Sequence, residues 1–266
     1  MFTVFNPIIQ SIHDFGGHVF GVMSDNLSVN QKKFKLFHSR YTSSDIHSII
    51  HPINNSLFEK LFTLYDPTHL FKNMRNNWIT EKTQTLEFID PETRETCIAK
   101  WKDLIDLYKL ELQSDLKRTK LDYKTLHPNN FEKQKVHLVC NIFNDKTHVV
   151  LDGMDGKEGT QKFVKYVTKM WNILNIRSTD IAYRLNDPDR KIITDPFDPR
   201  LDFLLKMGRM FKEMDNSFRG QRIRGLTGDT SNALHQTLLG FVELIRMMLV
   251  KNGYKYVLPG KISSDR

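Results

Sequence analysis

Two stretches carry side chains whose type and spacing could do chemistry. In the first, Asp66-Pro67-Thr68-His69-Leu70-Phe71-Lys72-Asn73-Met74-Arg75-Asn76-Asn77-Trp78, Asp66 suits an N-cap. Pro67 suits the first helical position, where a missing N–H costs nothing. His69, Lys72, Asn73 and Asn76 then recur at three- and four-residue steps, placing donors and a cation along one helical face. Leu70, Met74 and Trp78 fall on another face. A polar stripe this poor in carboxylates suits a negatively charged or hydrogen-bonding partner, although the same spacing also describes a solvated helix face. The second is Asp25, which follows the short apolar run His18-Val19-Phe20-Gly21-Val22-Met23. Open α/β sheets place their chemistry just past the C-terminal ends of strands, and a carboxylate there can equally cap the next helix.

The elements that must position these residues follow from hydrophobic periodicity. Residues 18–23, bounded by turn residues, read as a buried strand, and Leu61-Phe62-Thr63-Leu64-Tyr65 as a second strand feeding the Asp66 helix. A helix over 5–17 sets Ile8, Ile9 and Ile12 on one side and stops at Gly16-Gly17. A basic helix containing Lys32, Lys33 and Lys35 follows Asp25. Residues 39–60 read as polar loop. Beyond Trp78, residues 85–89 with the turn Asp90-Pro91-Glu92-Thr93 suggest a small hairpin. The spacing then predicts helices over 98–117 (Trp101, Leu104, Ile105, Tyr108, Leu112 and Leu116 inward), through Lys133–Phe143, and over 160–176, 200–214 and 229–251. Thr227 or Asp229 opens the last of these. Three Asp-Pro pairs within 186–200 mark a connection. The expected class is α+β, predominantly α.

Composition narrows the partners. Eighteen Phe, eight Tyr and three Trp can fill a core, and a net charge of +8 with pI ≈ 9.3 makes an anionic partner plausible, nucleic acid first. A generally basic surface gives the same number. Cys97 and Cys140 are too few for a four-ligand zinc site and read as free thiols of a reducing compartment. The apolar stretch Thr237–Val250 carries Glu243 and Arg246 near its middle and reads as a core helix rather than a membrane span. The first residues lack the basic and apolar regions of a signal peptide, so an intracellular protein is expected. The glycines at 153, 156 and 159 lack the Lys-Ser/Thr end of a phosphate loop.

Six segments in order resemble the P element transposases and their relatives with a THAP domain. They are Asp25-Asn-Leu-Ser-Val-Asn30; Asp66-Pro-Thr-His-Leu-Phe-Lys-Asn-Met-Arg-Asn-Asn77; Lys120-Leu121 with Phe131-Glu-Lys-Gln-Lys-Val136; Trp171-Asn-Ile-Leu-Asn175; Leu226-Thr227 with Thr230; and Gly253-Tyr-Lys-Tyr-Val-Leu-Pro-Gly260. Together they cover nearly the whole chain.

The resemblance implies an RNase H-like domain interrupted by a mostly helical, GTP-binding insertion: residues 1–65, 66–220 and 221–266. It implies Mg²⁺-dependent DNA cleavage and strand transfer at three acidic residues, since metals must charge-stabilise attacking and leaving oxygens. Asp25 matches the second of these acids. Asp265 matches an Asp that lies near the magnesium of bound GTP, three residues before the catalytic Glu. The first acid is then expected upstream of residue 1 and the Glu beyond Arg266, with Glu243 a poor substitute. The chain alone is therefore expected not to transpose DNA, and the cysteine count excludes a THAP zinc module within it. Lys120, Lys135 and Val136 match nucleotide contacts. Asn172 and Asn175 stand where the family reads guanine with an Asp and an Asn. An amide in place of that carboxylate loses a charge-assisted bond worth roughly 1.5–3 kcal/mol, weakening GTP or its selection. DNA as partner, a homo-oligomer, a nuclear location and no membrane are the accompanying expectations. An RNase H sheet lacking its first strands would expose an edge and dissolve poorly. A domesticated nucleotide- or DNA-binding module without catalysis is the alternative.

Overall fold

The computed structural model describes residues 2–40, 45–52, 60–80, 84–216 and 225–262, so Asp265 lies outside the described residues. In chain order the elements are α1 (Phe2–Asp14), β1 (Gly21–Ser24), α2 (Ser28–Arg40), β2 (Ser48–Ile50), β3 (Lys60–Tyr65), α3 (Pro67–Trp78), β4 (Thr85–Ile89) and β5 (Thr96–Lys100). Then come α4 (Trp101–Leu112), α5 (Tyr123–Leu126), α6 (Val136–Cys140), α7 (Asp145–Asp152), α8 (Glu158–Leu174), α9 (Ile181–Leu185), α10 (Pro199–Asn216) and α11 (Gly228–Val250). The class is α+β with helix predominating.

A three-stranded sheet in the order β1-β3-β2 organises one half, with β1 parallel and β2 antiparallel to β3. Successive side chains of β3 alternate between faces. Thr63 and Tyr65 meet α2, through His38 Nε2 at 2.9 Å from Thr63 Oγ1 and a Phe34–Tyr65 ring contact at 5.1 Å. Leu64 faces α11, where Gly240 lets the helix close in: a Cβ there would stand 2.4 Å from Leu64 Cδ2. β2 is too short to cover all of β3. Past its end, Tyr65 N donates to Thr237 Oγ1 at 3.0 Å and Gln236 Nε2 donates to Thr63 O at 3.1 Å. Two side chains of α11 thus satisfy backbone groups that a longer strand would have paired. β1 has no strand on its other edge among the described residues.

α11 is long and apolar enough to cross a membrane by length and composition. It instead packs against β3, α3 and α10, burying Leu234, Leu238, Phe241 and Ile245. Thr227 is its N-cap, accepting from Thr230 N.

The other half surrounds α8, whose Phe163, Val164, Val167 and Met170 are buried. α3 joins the halves. Its Phe71 stacks on Trp171 of α8 at 4.2 Å, and its Trp78 meets Trp101 and Phe163 edge-on at 5.2 and 5.1 Å. Gly159 lies against the Ile98 carbonyl of β5, where an added Cβ would come within 2.2 Å of oxygen.

Three expected elements differ. Residues 96–100 form β5, paired with β4 from Thr85↔Lys100 to Ile89↔Thr96, so the helix expected over 98–117 begins at Trp101 and ends at Leu112. Leu112 and Leu116 are 66% and 63% exposed, and Leu107 is the inward residue instead. The helix expected through 133–143 breaks at Lys135, whose backbone is extended (φ −82°, ψ 113°) between a 3₁₀ turn and α6. The loop expected over 39–60 contains β2; its residues 41–44 and 53–59 lie outside the described residues.

Candidate functional site

Asp25 sits one residue past β1, and its Oδ1 accepts from Asn30 Nδ2 at 2.5 Å and Leu27 N at 3.4 Å. It therefore combines both sequence readings: a half-buried carboxylate at a strand end that also steadies the start of α2. The register Ser24↔Tyr65 brings Asp66 beside it, with Asp66 N donating to Ser24 O at 2.8 Å. Asp66 is fully buried and caps α3 by accepting from Thr68 N at 2.7 Å, as its position before Pro67 foretold. Asn26 Nδ2 donates to Asp229 O at 3.3 Å, tying this corner to the start of α11. A cleft of about 360 Å³ opens alongside, lined by residues that include Asn26, Phe34, His38, Tyr65, Asp229 and Gln236. Burial, with the charge of Asp229, pushes the Tyr65 phenol up to about 12.

Glu243 faces elsewhere. It accepts from Lys60 Nζ at 3.1 Å and lies 3.0 Å from His47 Nε2, and Lys60 also binds Asp45 at 2.8 Å. The hydrogen bond to His47, then that to Lys60, holds the Glu243 carboxyl below the usual range against its burial. The ligand atoms of Asp45, His47 and Glu243 lie within 4.8 Å of one another, but an ammonium already bridges the two carboxylates. Among the described residues no comparable group includes Asp25.

The nucleotide candidates lie on α6, on the segment before it and at the end of α8. Lys135 and Val136 open α6, and α6 ends at Cys140. Burial pushes the Cys140 thiol up, against the opposing charges of Arg190 and Lys120. Arg190 in turn donates from Nη2 to Asn172 Oδ1 at 2.6 Å. Asn172 Nδ2 donates to Asp187 Oδ2 at 3.0 Å, and Arg190 Nε binds the same oxygen at 2.9 Å. Asn175, the C-cap of α8, accepts from Arg177 Nε at 2.8 Å. Gly260 N donates to Ile176 O at 3.0 Å, and a Cβ on Gly260 would stand 2.9 Å from the Asn175 carbonyl carbon. Lys120 and Lys135 are exposed, and neither ammonium has a partner among the described residues. Sequence reasoning missed Asp187 and Arg190, since an Asp-Pro pair announces a turn and nothing announces its distant neighbour.

The polar stripe of α3 is less solvated than its spacing suggested. Lys72 is 8% exposed and makes no hydrogen bond or ion pair among the described residues. Arg75 is fully buried. It donates from Nη2 to Lys133 O at 3.0 Å and from Nε to Asn76 Oδ1 at 2.7 Å, and its Nη1 has no partner. Burial without a carboxylate pulls the guanidinium down to about 10. Asn76 Nδ2 approaches the same Lys133 carbonyl at 3.4 Å.

No family model and no curated protein matches the chain. Among solved structures it is similar to the Drosophila P element transposase strand transfer complex, with a TM-score of 0.77 over 98% of this chain. The fold is that of a P element-like transposase. Sequence identity is 18%, so the likeness establishes fold alone. The chain spans 56% of the length of the chain it matches.

Proposed function

We propose that this chain is the central part of a P element-like DNA transposase, carrying one carboxylate of an RNase H-like centre and a GTP-binding helical insertion. The observation that carries the reading is the fold likeness over 98% of the chain. The division at residues 65 and 220 belongs to this proposal, as do Mg²⁺ held partly by Asp25 and Asp265 and a nuclear, DNA-handling role. In this reading Lys120 and Lys135 take the phosphates as mobile point charges. The Asn172–Asp187–Arg190 group meets the base, offering both a carboxylate and donors. GTP supplies negative charge and a hydrogen-bonding purine edge. The chain's own residues bind and orient it.

Asp25 orients its free oxygen at the strand end, and no catalytic step is assigned to it alone. That isolation favours a second reading, a nucleotide- or DNA-binding module without catalysis. Titration of duplex DNA at increasing salt, with strand-transfer assays in Mg²⁺ and Mn²⁺, tests both. The proposal expects DNA affinity that falls steeply with salt, as phosphate contacts require, and no strand transfer by this chain alone. Absence of salt-dependent DNA binding overturns the DNA part, and detectable strand transfer overturns the assigned incompleteness.

A further inference from the structure

We infer that the cleft between α2, the end of β3 and the start of α11 is a binding site for one unpaired nucleobase that carries an exocyclic amino group, with Tyr65 and Asp229 reading its edge. The volume of about 360 Å³ lies in the range of small-ligand pockets, roughly 300–1,000 Å³. Tyr65 is 5% exposed and lines this space, yet its hydroxyl makes no hydrogen bond among the described residues. A buried Tyr O–H ordinarily finds a partner, because leaving it unpaired is costly. Asp229 and Lys35 line the same cleft, and neither the carboxylate nor the ammonium has a hydrogen bond or ion pair among the described residues. Three unengaged polar groups of different kinds therefore share one cleft: a hydroxyl, an anion and a cation.

The rest of the lining is fixed by the protein's own bonds. Gln31 Nε2 donates to Asn26 O and Oδ1 at 3.3 and 3.0 Å, and Gln236 Nε2 donates to Thr63 O and Oγ1 at 3.1 and 3.2 Å. Each glutamine is left with its carbonyl oxygen, an acceptor. One carboxylate and one ammonium offset each other, so a neutral ligand fits this cleft better than a lone anion or cation. That ligand has to bring N–H donors to Asp229 and an acceptor to Tyr65 or Lys35. Adenine and cytosine do so on one edge, where an amino group stands beside an unprotonated ring nitrogen. Thymine would set a carbonyl oxygen against the carboxylate instead. Phe34, whose ring packs on Tyr65 at 5.1 Å, supplies an apolar wall with Ile46 and Ala233, as a flat base requires. Pairing in a duplex hides that edge, so the base comes unpaired, from a nucleic-acid strand or from a free nucleotide. None of these residues is among those assigned to GTP, so the inference stands whether or not the helical insertion binds nucleotide.

The experiment titrates the full chain, as wild type, Tyr65→Phe and Asp229→Asn, with dAMP, dCMP, dTMP, single-stranded oligodeoxycytidine and oligothymidine, and an oligolysine peptide. Binding is followed by calorimetry, and thermal unfolding without ligand is recorded in parallel. Guanine nucleotides are kept out, because the proposed insertion site would take them. The wild type is expected to bind the amino-bearing bases about tenfold or more tightly than thymine, the scale of one charge-assisted contact. Tyr65→Phe should melt with the wild type, since its hydroxyl has no partner to lose, and should bind adenine and cytosine about three- to tenfold more weakly. Asp229→Asn should remove the preference over thymine, because an amide can donate to the thymine oxygen. Selectivity seen only in the oligonucleotides assigns the base to a strand, and selectivity in the monophosphates assigns it to a free nucleotide; either supports the cleft. Equal affinity for cytosine and thymine in the wild type, or no binding of adenine or cytosine in any form, overturns the inference. Wild-type affinity and selectivity in both variants overturns the cleft as the site. Oligolysine binding that exceeds that of every nucleotide and is lost in Asp229→Asn overturns the nucleobase in favour of a cationic partner.

Discussion

Asn172→Asp places a carboxylate where an amide now mediates between Asp187 and Arg190. In the wild type the amide donates to Asp187 at 3.0 Å and accepts from Arg190 at 2.6 Å, so every polar contact is complementary. The substitution turns the first contact into two carboxylates about 3 Å apart. At an effective dielectric of about 20 their repulsion is roughly 5 kcal/mol before screening. Arg190, bound to both, recovers much of this, and its bond to residue 172 gains charge. The lost donor to Asp187 costs roughly 1.5–3 kcal/mol. The balance is a destabilisation of about 1–3 kcal/mol at neutral pH in the absence of ligand. The pair then retains a proton to higher pH than an unfolded carboxyl does. The penalty is therefore full above the raised folded pKa and fades as pH falls toward the unfolded value of about 4. Urea unfolding of both proteins at pH 7.5 and pH 5 measures it. GTP, whose guanine edge donates two N–H groups, should stabilise the variant more than the wild type. Equal stability of the two proteins at pH 7.5, with no difference in their pH dependence, would refute this account of the cluster.

Other outcomes follow from the packing. Asp90 is buried and ion-paired to Lys162 at 2.7 Å. Burial alone would raise its carboxyl, but hydrogen bonds from Lys162, from the backbone of Glu92 and Thr93, and from Tyr166 lower it to about 2. Stability from this lowering, about 2 kcal/mol, is present above pH 4 and lost as pH falls toward 2, so Asp90→Asn should destabilise at pH 7 and differ little from wild type at pH 2 in denaturant titrations. Gly159→Ala forces a methyl against the Ile98 carbonyl and should cost about 1–3 kcal/mol in thermal melts; an unchanged melt would show that α8 and β5 are not so closely packed. β1 carries no strand on its edge away from β3 among the described residues, and Ile8, Ile12 and Phe15 at the N-terminal end of the chain are 51%, 41% and 93% exposed. Concentration-dependent association is therefore expected in sedimentation, and a monomer at high concentration would contradict it.

What the sequence disclosed was local. Asp66 and Pro67 announce the start of α3 because capping needs only neighbours, and α8 shows in its periodicity because one whole face is apolar. β5 was hidden because Ile98, Trp101, Leu104 and Ile105 keep a helical spacing straight across the junction at Lys100, and only pairing with β4 separates strand from helix. β2 is three residues long and flanked by polar chain. The break at Lys135 accompanies capture of the Lys133 carbonyl by Arg75 and Asn76, an event 58 residues away in the chain. The same distance problem hid the site. Asp25 could be placed from its strand, whereas the partners of Asn172 and the burial of Lys72 depend on tertiary packing that no local pattern records.

Calorimetric titration of the wild-type chain with GTP and with ATP, Mg²⁺ present, tests the central proposal most directly. A nucleotide-binding insertion with an amide at residue 172 predicts saturable GTP binding and weaker ATP binding. A cooperatively folded chain that binds neither nucleotide would contradict it.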